Sequence, residues 1–181
     1  MTEDQHEIVT EKDATARGFY IHLRHRVGGS CRLKLVVADK GHTPVFYEDQ
    51  QKSLCLICVG HLYASRSNSF VVTESLERLA EAYSRAGLEG VRSEIDGGMF
   101  ALFIIDQANN KLFATADFLA CMPLYYRSEH GETLIGINQF DLSNGDSPAD
   151  LACAEYLTYG YLPFHHSLFA AIKRIGPGQS I

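Results

Sequence analysis

Two runs of apolar and aromatic residues, separated by an asparagine pair, constrain the fold of this chain more than any other feature. The runs are Met99 to Asp106 and Lys111 to Ala116, and Asn109 and Asn110 stand between them. Asparagine tolerates the positive φ that a tight turn between two strands requires. The pattern therefore predicts a β-hairpin with two buried strands.

The residues that flank this hairpin restrict the backbone further. Gly97-Gly98 permits a close approach of another backbone at the start of the first strand. Pro123 cannot continue a helix, so Leu124 to Arg127 is predicted to be extended.

Apolar residues elsewhere predict further strands. Alternation predicts half-buried strands that begin near Phe19 and Leu33. The continuous apolar run Leu54 to Tyr63 predicts a fully buried strand. Shorter strands are predicted at Phe70 to Val72 and Thr133 to Ile137.

Helical spacing predicts helices in two regions. A helix is predicted to begin with Thr73 as its N-cap and to end near Gly87, followed by a short helix over Leu88 to Ile95. Asp150 to Tyr159 is predicted to be a helix closed by Gly160. Strands at both ends of the chain around central helices favour an α+β fold with antiparallel sheets over a parallel nucleotide-binding fold.

Composition and charge exclude several classes of protein. With 181 residues, 46% of them hydrophobic, the chain can form one domain with a sizeable core, and no apolar run approaches the roughly 18 residues of a membrane span. The net charge of −6 disfavours nucleic acid as a partner, because phosphate binding needs a clustered basic patch. Residues 1–17 are polar and lack a signal-peptide core, so they are predicted to be a mobile extension before a domain of residues 18–181.

The cysteines indicate free thiols rather than a metal site. Five cysteines, an odd and irregularly spaced set, suit the reducing cytoplasm. Cys55 and Cys58 form a C-x-x-C, but residues three apart on a strand point to opposite faces. The pair His165-His166 is predicted to lie in a loop, so no metal site is expected.

The hairpin and the residues after it resemble a known family. Asp96 to Asp106 reads Asp-Gly-Gly-Met-Phe-Ala-Leu-Phe-Ile-Ile-Asp, and Asp117 to Tyr126 reads Asp-Phe-Leu-Ala-Cys-Met-Pro-Leu-Tyr-Tyr. This order is similar to the G-M-F-A-F-x-x-x-D and R-D-x-x-G-x-x-P-L-Y-Y patterns of the N-terminal glutaminase domain of asparagine-synthetase-type enzymes. Tyr159 to Pro163 and Gly176 to Gln179 strengthen the resemblance. It implies an N-terminal-nucleophile (Ntn) hydrolase fold, a four-layer α/β/β/α sandwich of two antiparallel sheets.

The residues that would make such a domain an enzyme depart from the family pattern. Glutaminases of this family use a cysteine at the mature N terminus, whose own α-amino group acts as base, but here Met1 is followed by Thr2. An alignment on the first strand places the family's Cys-Gly start on Arg17-Gly18, which also lacks the thiol. Ala116 and Ala120 replace the family's arginine and glycine near the hairpin. The resemblance therefore implies that the nucleophile is absent.

The substrate pocket that the resemblance implies is degenerate as well. The family's Asn-Gly-Glu motif, whose asparagine and glycine line the oxyanion hole, falls on Val59-Gly60-His61, and valine has no side-chain donor. The Gly-Ser-Asp that holds the substrate's amino group falls on Thr73-Glu74-Ser75. The predicted degenerate pocket consists of Arg17, Val59, Gly60, Thr73, Ser75 and Asp96.

These departures imply a non-catalytic scaffold, namely a glutaminase-like domain of, or subunit for, an asparagine-synthetase-like ligase that forms amide bonds with ATP. Similar degenerate domains precede the synthetase domains of β-lactam synthetases and lasso-peptide cyclases, which suggests peptide or natural-product biosynthesis in the cytoplasm. The expected partner is an adenylating synthetase domain or subunit, whose S-G-G-x-D-S loop is absent from these 181 residues. ATP and Mg²⁺ are expected only there, with no cofactor in this chain.

Two other functions stay open on the sequence alone. A small-molecule-binding regulatory module would use the vacated pocket near Gly60, Ser75 and Asp96. An N-terminal amidohydrolase would use Thr2, exposed by removal of Met1, as its nucleophile. A homodimer is also compatible with the sequence.

Overall fold

The computed structural model describes residues 7–13, 16, 18–25, 31–38, 43–64, 72–163 and 166–181. The chain divides into two compact units: unit 1 comprises Met1–His42 and Pro123–Gly176, and unit 2 comprises Thr43–Met122 and Pro177–Ile181. The described strands are β1 (Glu7–Asp13), β2 (Phe19–His25), β3 (Cys31–Ala38), β4 (Val45–Asp49), β5 (Leu54–Ala64), β6 (Ile95–Asp106), β7 (Lys111–Ala116), β8 (Leu124–Glu129), β9 (Glu132–Gly136) and β10 (Lys173–Ile175). The described helices are α1 (Val72–Glu94), α2 (Gln139–Leu142) and α3 (Asp150–Tyr159).

Unit 1 is built on a six-stranded sheet in the order β1-β3-β2-β9-β8-β10. Neighbouring strands are antiparallel except β1 and β3, which run parallel. The alternation predicted from Phe19 onward is confirmed, since Phe19 and Ile21 are buried and Tyr20 and His22 are half-buried. The small core cluster against which Tyr20 packs consists of Leu142, Phe169 and Ile172.

Strand β1 lies in the stretch that the sequence predicts to be an extension outside the fold, and that prediction is wrong for Glu7–Asp13. All seven residues of β1 pair with β3, and Glu11 forms an ion pair with Lys34 at 2.6 Å. A polar edge strand is hard to recognise in a sequence because backbone pairing with a distant strand, rather than burial of its own side chains, decides its position.

Unit 2 contains the predicted hairpin, which the structure confirms. Its antiparallel sheet has the order β4-β5-β6-β7, and Asn110 in the turn between β6 and β7 has a φ of 52°. The Asp106 carboxylate accepts hydrogen bonds from the Asn109 backbone N–H (3.1 Å) and side-chain amide (2.8 Å), and from the Tyr83 hydroxyl (2.9 Å). Burial opposes ionisation of Asp106, but these donors outweigh it and lower the pKa of the carboxyl.

Helix α1 covers one face of the unit 2 sheet. The helix begins at Val72, so Thr73 lies in its first turn and the predicted N-cap role of Thr73 is wrong. The predicted break near Gly87 is confirmed, because Ala86 and Gly87 leave helical φ and ψ before the helix continues to Glu94. The buried core that α1 shares with the sheet includes Leu56, Cys58, Leu62, Leu76, Leu79, Ala80, Val91, Phe100, Leu102 and Ile104.

The α+β class is therefore confirmed, with two predominantly antiparallel sheets and their helices. This content of secondary structure is consistent with an Ntn-hydrolase-like sandwich. Within the ranges given above, no helix is both long enough and apolar enough to cross a membrane.

Candidate functional site

Two glycines on the paired strands β5 and β6 each lie against a backbone carbonyl of the other strand, and one of them, Gly60, is a predicted pocket residue. Gly60 has a φ of 100°, and a Cβ there would lie 2.2 Å from the carbonyl oxygen of Met99. Gly98 has a φ of 131°, and a Cβ there would lie 2.2 Å from the carbonyl oxygen of His61. Both positions exclude any side chain, because real Cβ atoms do not approach another atom so closely and L-residues rarely adopt such φ values.

Val59, the neighbour of Gly60, lies in a buried aliphatic row. It pairs with Ala101 on β6, which in turn pairs with Ala116 on β7, so the three side chains share one face of the sheet. All three are buried. Val59, which the resemblance aligns with the family's asparagine, thus has two alanines as cross-strand neighbours, and its side chain has no hydrogen to donate.

The other predicted pocket residues in unit 2 lie at the far end of β5. Ser75 is buried, and its hydroxyl oxygen accepts a hydrogen bond from the Ala64 N–H at 3.4 Å, which joins α1 to β5. Thr73 is exposed, and Asp96 is exposed beside the register shift at Tyr63 and Ala64. At about 3.3 Å per strand residue, this end of β5 is roughly 13 Å from Gly60.

The structure therefore separates the predicted pocket into two groups. Val59 and Gly60 form one group, and Thr73, Ser75 and Asp96 lie near the other end of β5. Arg17 and Thr2 lie outside the described residues, so the predictions for them stay predictions.

A buried carboxylate organises the loop that follows the hairpin. Asp117 accepts hydrogen bonds from four backbone N–H groups: Phe100 (3.3 Å), Leu119 (2.9 Å), Cys121 (3.1 Å) and Met122 (2.9 Å). Burial raises the pKa of Asp117, but the four donors outweigh burial and the pKa is lowered overall. Asp117 therefore fixes the loop to the start of the buried part of β6.

The same loop shows a consequence of a departure from the family pattern. Ala120, at the position where the pattern has glycine, has a φ of 49°. Alanine is disfavoured in this left-handed region, in which glycine is unstrained. At Ala120 the loop therefore has a backbone conformation that glycine would adopt without strain.

Unit 2 also contains an apolar cavity of about 120 Å³ that the sequence does not predict. Its lining comes from the second part of α1, from β6, β7 and the Asp117 loop, and from the end of the chain. The lining residues are Leu88, Val91, Arg92, Ile95, Phe100, Ile104, Phe113, Thr115, Ala116, Phe118, Gly178 and Ser180. Val59, Gly60, Thr73, Ser75 and Asp96 are not among them, so this cavity is distinct from the predicted pocket.

The described cysteines and acidic residues offer little for a metal. Cys55 and Cys58 are buried free thiols, and burial raises the pKa of Cys55 to about 11 and that of Cys58 to about 12. Thiols with such pKa values stay protonated near neutral pH and are poor nucleophiles and poor ligands. Within the described ranges, no group of three or more His, Cys, Asp or Glu side chains is arranged to hold a metal ion.

Comparisons with known proteins identify the family of this chain. The family model described as a glutamine amidotransferase domain matches residues 12–181. The chain therefore belongs to the family of glutamine amidotransferase domains. Asparagine synthetase (glutamine-hydrolyzing) 1 of Bacillus subtilis (strain 168) is a similar curated protein, with 24% identity over 196 residues. The match covers 98% of this chain and 30% of the relative, so the chain spans less than a third of the relative's length.

Proposed function

We propose that this amidotransferase domain does not hydrolyse glutamine and acts as a scaffold for an ATP-dependent synthetase that forms amide bonds. The observation that carries this proposal is Val59, which occupies the asparagine position of the family pattern within the buried row of Ala101 and Ala116. An oxyanion hole works by aiming donors at the developing negative charge, and the loss of one donor costs roughly a hundredfold to a thousandfold in rate.

The position of the nucleophile supports the same proposal. The family's chemistry needs a cysteine thiol, and the Cys-Gly start of the pattern, aligned on the first strand, falls here on Arg17-Gly18. A threonine hydroxyl, as at Thr2, is a weaker nucleophile than a thiol and depends on an adjacent base. A site that lacks both the thiol and the asparagine donor lacks the nucleophile of the reaction and one of the donors that stabilise the oxyanion.

The partner in this proposal is an adenylating synthetase domain or subunit. The curated relative is an asparagine synthetase, and this chain matches 30% of its length. In our proposal the synthetase binds ATP and Mg²⁺ and activates a carboxylate. The amine that reacts with this carboxylate comes from solution or from the substrate, and not from glutamine hydrolysis. Peptide or natural-product biosynthesis in the cytoplasm is the setting that suits such an enzyme.

A covalent probe tests the absence of the nucleophile. 6-Diazo-5-oxo-L-norleucine is a glutamine analogue that alkylates the nucleophile of glutaminases. We expect the intact mass of the native protein to stay unchanged after incubation with it, whereas an adduct mapped to Thr2 would overturn the proposal in favour of an N-terminal amidohydrolase.

A further inference from the structure

The apolar cavity of unit 2 offers space for part of a ligand. Its volume is about 120 Å³, and eight of its twelve lining residues are apolar. Protein interiors contain few voids larger than a water molecule. An apolar void stays dry, because a buried water needs about three polar partners. The interior of this cavity is therefore a space that an apolar group fills better than water does.

Two walls of the cavity are joined by hydrogen bonds. After the break at Gly87, helix α1 contributes Arg92 to the lining, and the tail of the chain contributes Ser180. The Arg92 guanidinium donates to Ser180 Oγ at 2.9 Å. The tail also pairs with β7, through two backbone hydrogen bonds of 2.9 Å between Ile181 and Ala114. The walls are thus fixed before a ligand binds, which lowers the entropy cost of binding.

The polar part of the lining offers hydrogen-bond donors and a positive charge. Its members are Arg92, Thr115 and Ser180. A guanidinium has five N–H donors, and among the described residues Arg92 uses two of them, on Glu89 and Ser180. Ser180 Oγ accepts from Arg92, which leaves the hydroxyl hydrogen to donate. This part of the lining therefore suits an anionic acceptor such as a carboxylate.

Glu89, the present ionic partner of Arg92, leaves room for a second carboxylate. The contact between the two side chains is 3.1 Å long, and the Glu89 side chain is 81% exposed. Exposed pairs one helical turn apart are weak, and a guanidinium can bind more than one oxygen. Since the Arg92 side chain is itself 53% exposed, a ligand carboxylate beside it keeps part of its hydration. It therefore avoids the large cost of burying a charge completely.

The volume of the cavity restricts the apolar part of the ligand. An engineered apolar cavity of about 150 Å³ binds benzene. By this measure, a cavity of 120 Å³ suits an alkyl group of about four or five carbons. Longer chains would extend beyond the apolar walls.

We propose that this cavity is a binding site for a short aliphatic carboxylate. The alkyl group lies among apolar side chains that include Leu88 and Val91, and the carboxylate accepts hydrogen bonds from the Arg92 guanidinium and the Ser180 hydroxyl. The cavity is distinct from the predicted pocket at Val59, so the inference does not depend on whether the domain hydrolyses glutamine. Occupancy stabilises the folded domain, because the ligand binds the native state.

Methyl NMR of the native protein tests the site with 3-methylbutanoate as the probe. Acetate, which lacks the branched alkyl group, and 3-methylbutanamide, which lacks the charge, are the control ligands. We expect 3-methylbutanoate to shift the methyl signals of Leu88 and Val91 and not those of Val59, with a dissociation constant on the order of 1 mM. Both control ligands should bind roughly tenfold more weakly. Shifts at Val59 in place of Leu88 and Val91, or no shifts at all, would overturn the site.

A matched pair of arginine variants tests how the carboxylate is recognised. Arg92→Met keeps an apolar stem but removes the charge. It should weaken binding of 3-methylbutanoate roughly tenfold or more and leave binding of 3-methylbutanamide unchanged. Arg85→Met is the control, because Arg85 pairs with Glu94 and does not line the cavity, and it should leave the binding of both ligands unchanged.

Both arginine side chains are more than half exposed, so both variants should melt near the wild-type temperature. If Arg92→Met bound 3-methylbutanoate as tightly as the wild type, or if the wild type bound the amide as tightly as the carboxylate, the proposed class of ligand would be refuted.

Discussion

Two stretches of unit 2 resemble the family pattern but match it to different degrees. In the loop after the hairpin, Asp117 accepts four backbone hydrogen bonds. On the paired strands β5 and β6, Gly60 and Gly98 each lie against a backbone carbonyl of the other strand. In the predicted pocket, Val59 stands in an aliphatic row. The loop and the glycines fix the backbone, whereas Val59 offers no donor for the chemistry that the family pattern implies. In our proposal the domain therefore retains the fold without the glutaminase reaction.

The largest expected effect is at Gly60. Gly60→Ala is expected to lower the free energy of unfolding by about 4 kcal/mol or to prevent folding, because its Cβ would meet the Met99 carbonyl and its φ is positive. Gly145→Ala is the matched control, since φ there is 82° but nothing lies within 4 Å. It should cost about 1 kcal/mol. Urea denaturation measures both, and equal costs would contradict the close approach of the Met99 carbonyl oxygen to position 60.

Asp117 is expected to give the next largest effect. Asp117→Asn should lower the free energy of unfolding by about 3 kcal/mol, because an amide has one acceptor oxygen and its NH₂ group opposes the backbone donors. Asp146→Asn is a control at an exposed carboxylate and should cost less than about 1 kcal/mol. A cost for Asp117→Asn no greater than the control would refute the organising role of this carboxylate.

The pH dependence of stability should report on the same carboxylate. The folded-state pKa of Asp117 is lowered, so its contribution is present above the unfolded pKa near 4 and is lost as pH falls through the folded pKa. The difference in unfolding free energy between wild type and Asp117→Asn should therefore shrink as pH is lowered from 6 to 3. A difference that stays constant over this range would contradict the assigned ionisation.

A polar side chain in place of Val59 tests whether this buried position offers any hydrogen-bond partner. Val59→Asn should cost about 2 kcal/mol, because the neighbouring Ala101 and Ala116 side chains offer no hydrogen bonds to a buried amide. Chemical denaturation measures the change. If Val59→Asn were as stable as wild type, the row would still hold partners for an asparagine, and the contrast with the Asp117 loop would be lost.

The smallest expected effect is a gain in stability. Ala120→Gly should raise the free energy of unfolding by about 0.5 kcal/mol, because glycine adopts a φ of 49° without strain. Ala154→Gly, in the exposed part of α3, should instead lower it by about 1 kcal/mol. Loss of stability in both variants would show that the buried methyl group of Ala120 outweighs the backbone strain.

Local patterns in the sequence predict part of this fold. The β6–β7 hairpin, the break at Gly87 and the end of α3 at Gly160 each depend on residues close together in the chain, and all three are confirmed. Strand β1 depends on pairing with a distant strand, and the tail depends on hydrogen bonds between Ile181 and Ala114. Neither pairing has a local signal.

The site is less predictable than the fold. A sequence pattern can indicate that Val59 lacks a donor, but it cannot show that Ser75 binds the Ala64 N–H or that Asp117 accepts four donors. These contacts depend on how α1 and the loops lie against the strands. The sequence does not predict the exposure of α3 either, because a helix with apolar residues on all sides is usually a buried one.

The most direct test of the central claim is the rate of glutamate formation from glutamine by the native protein, measured with and without ATP and compared with Thr2→Ala. Our proposal that the site lacks the thiol and the asparagine donor predicts no glutamate above the buffer background for either protein. Glutamate formation by the wild type that Thr2→Ala abolishes would contradict the scaffold function and identify an active N-terminal amidohydrolase.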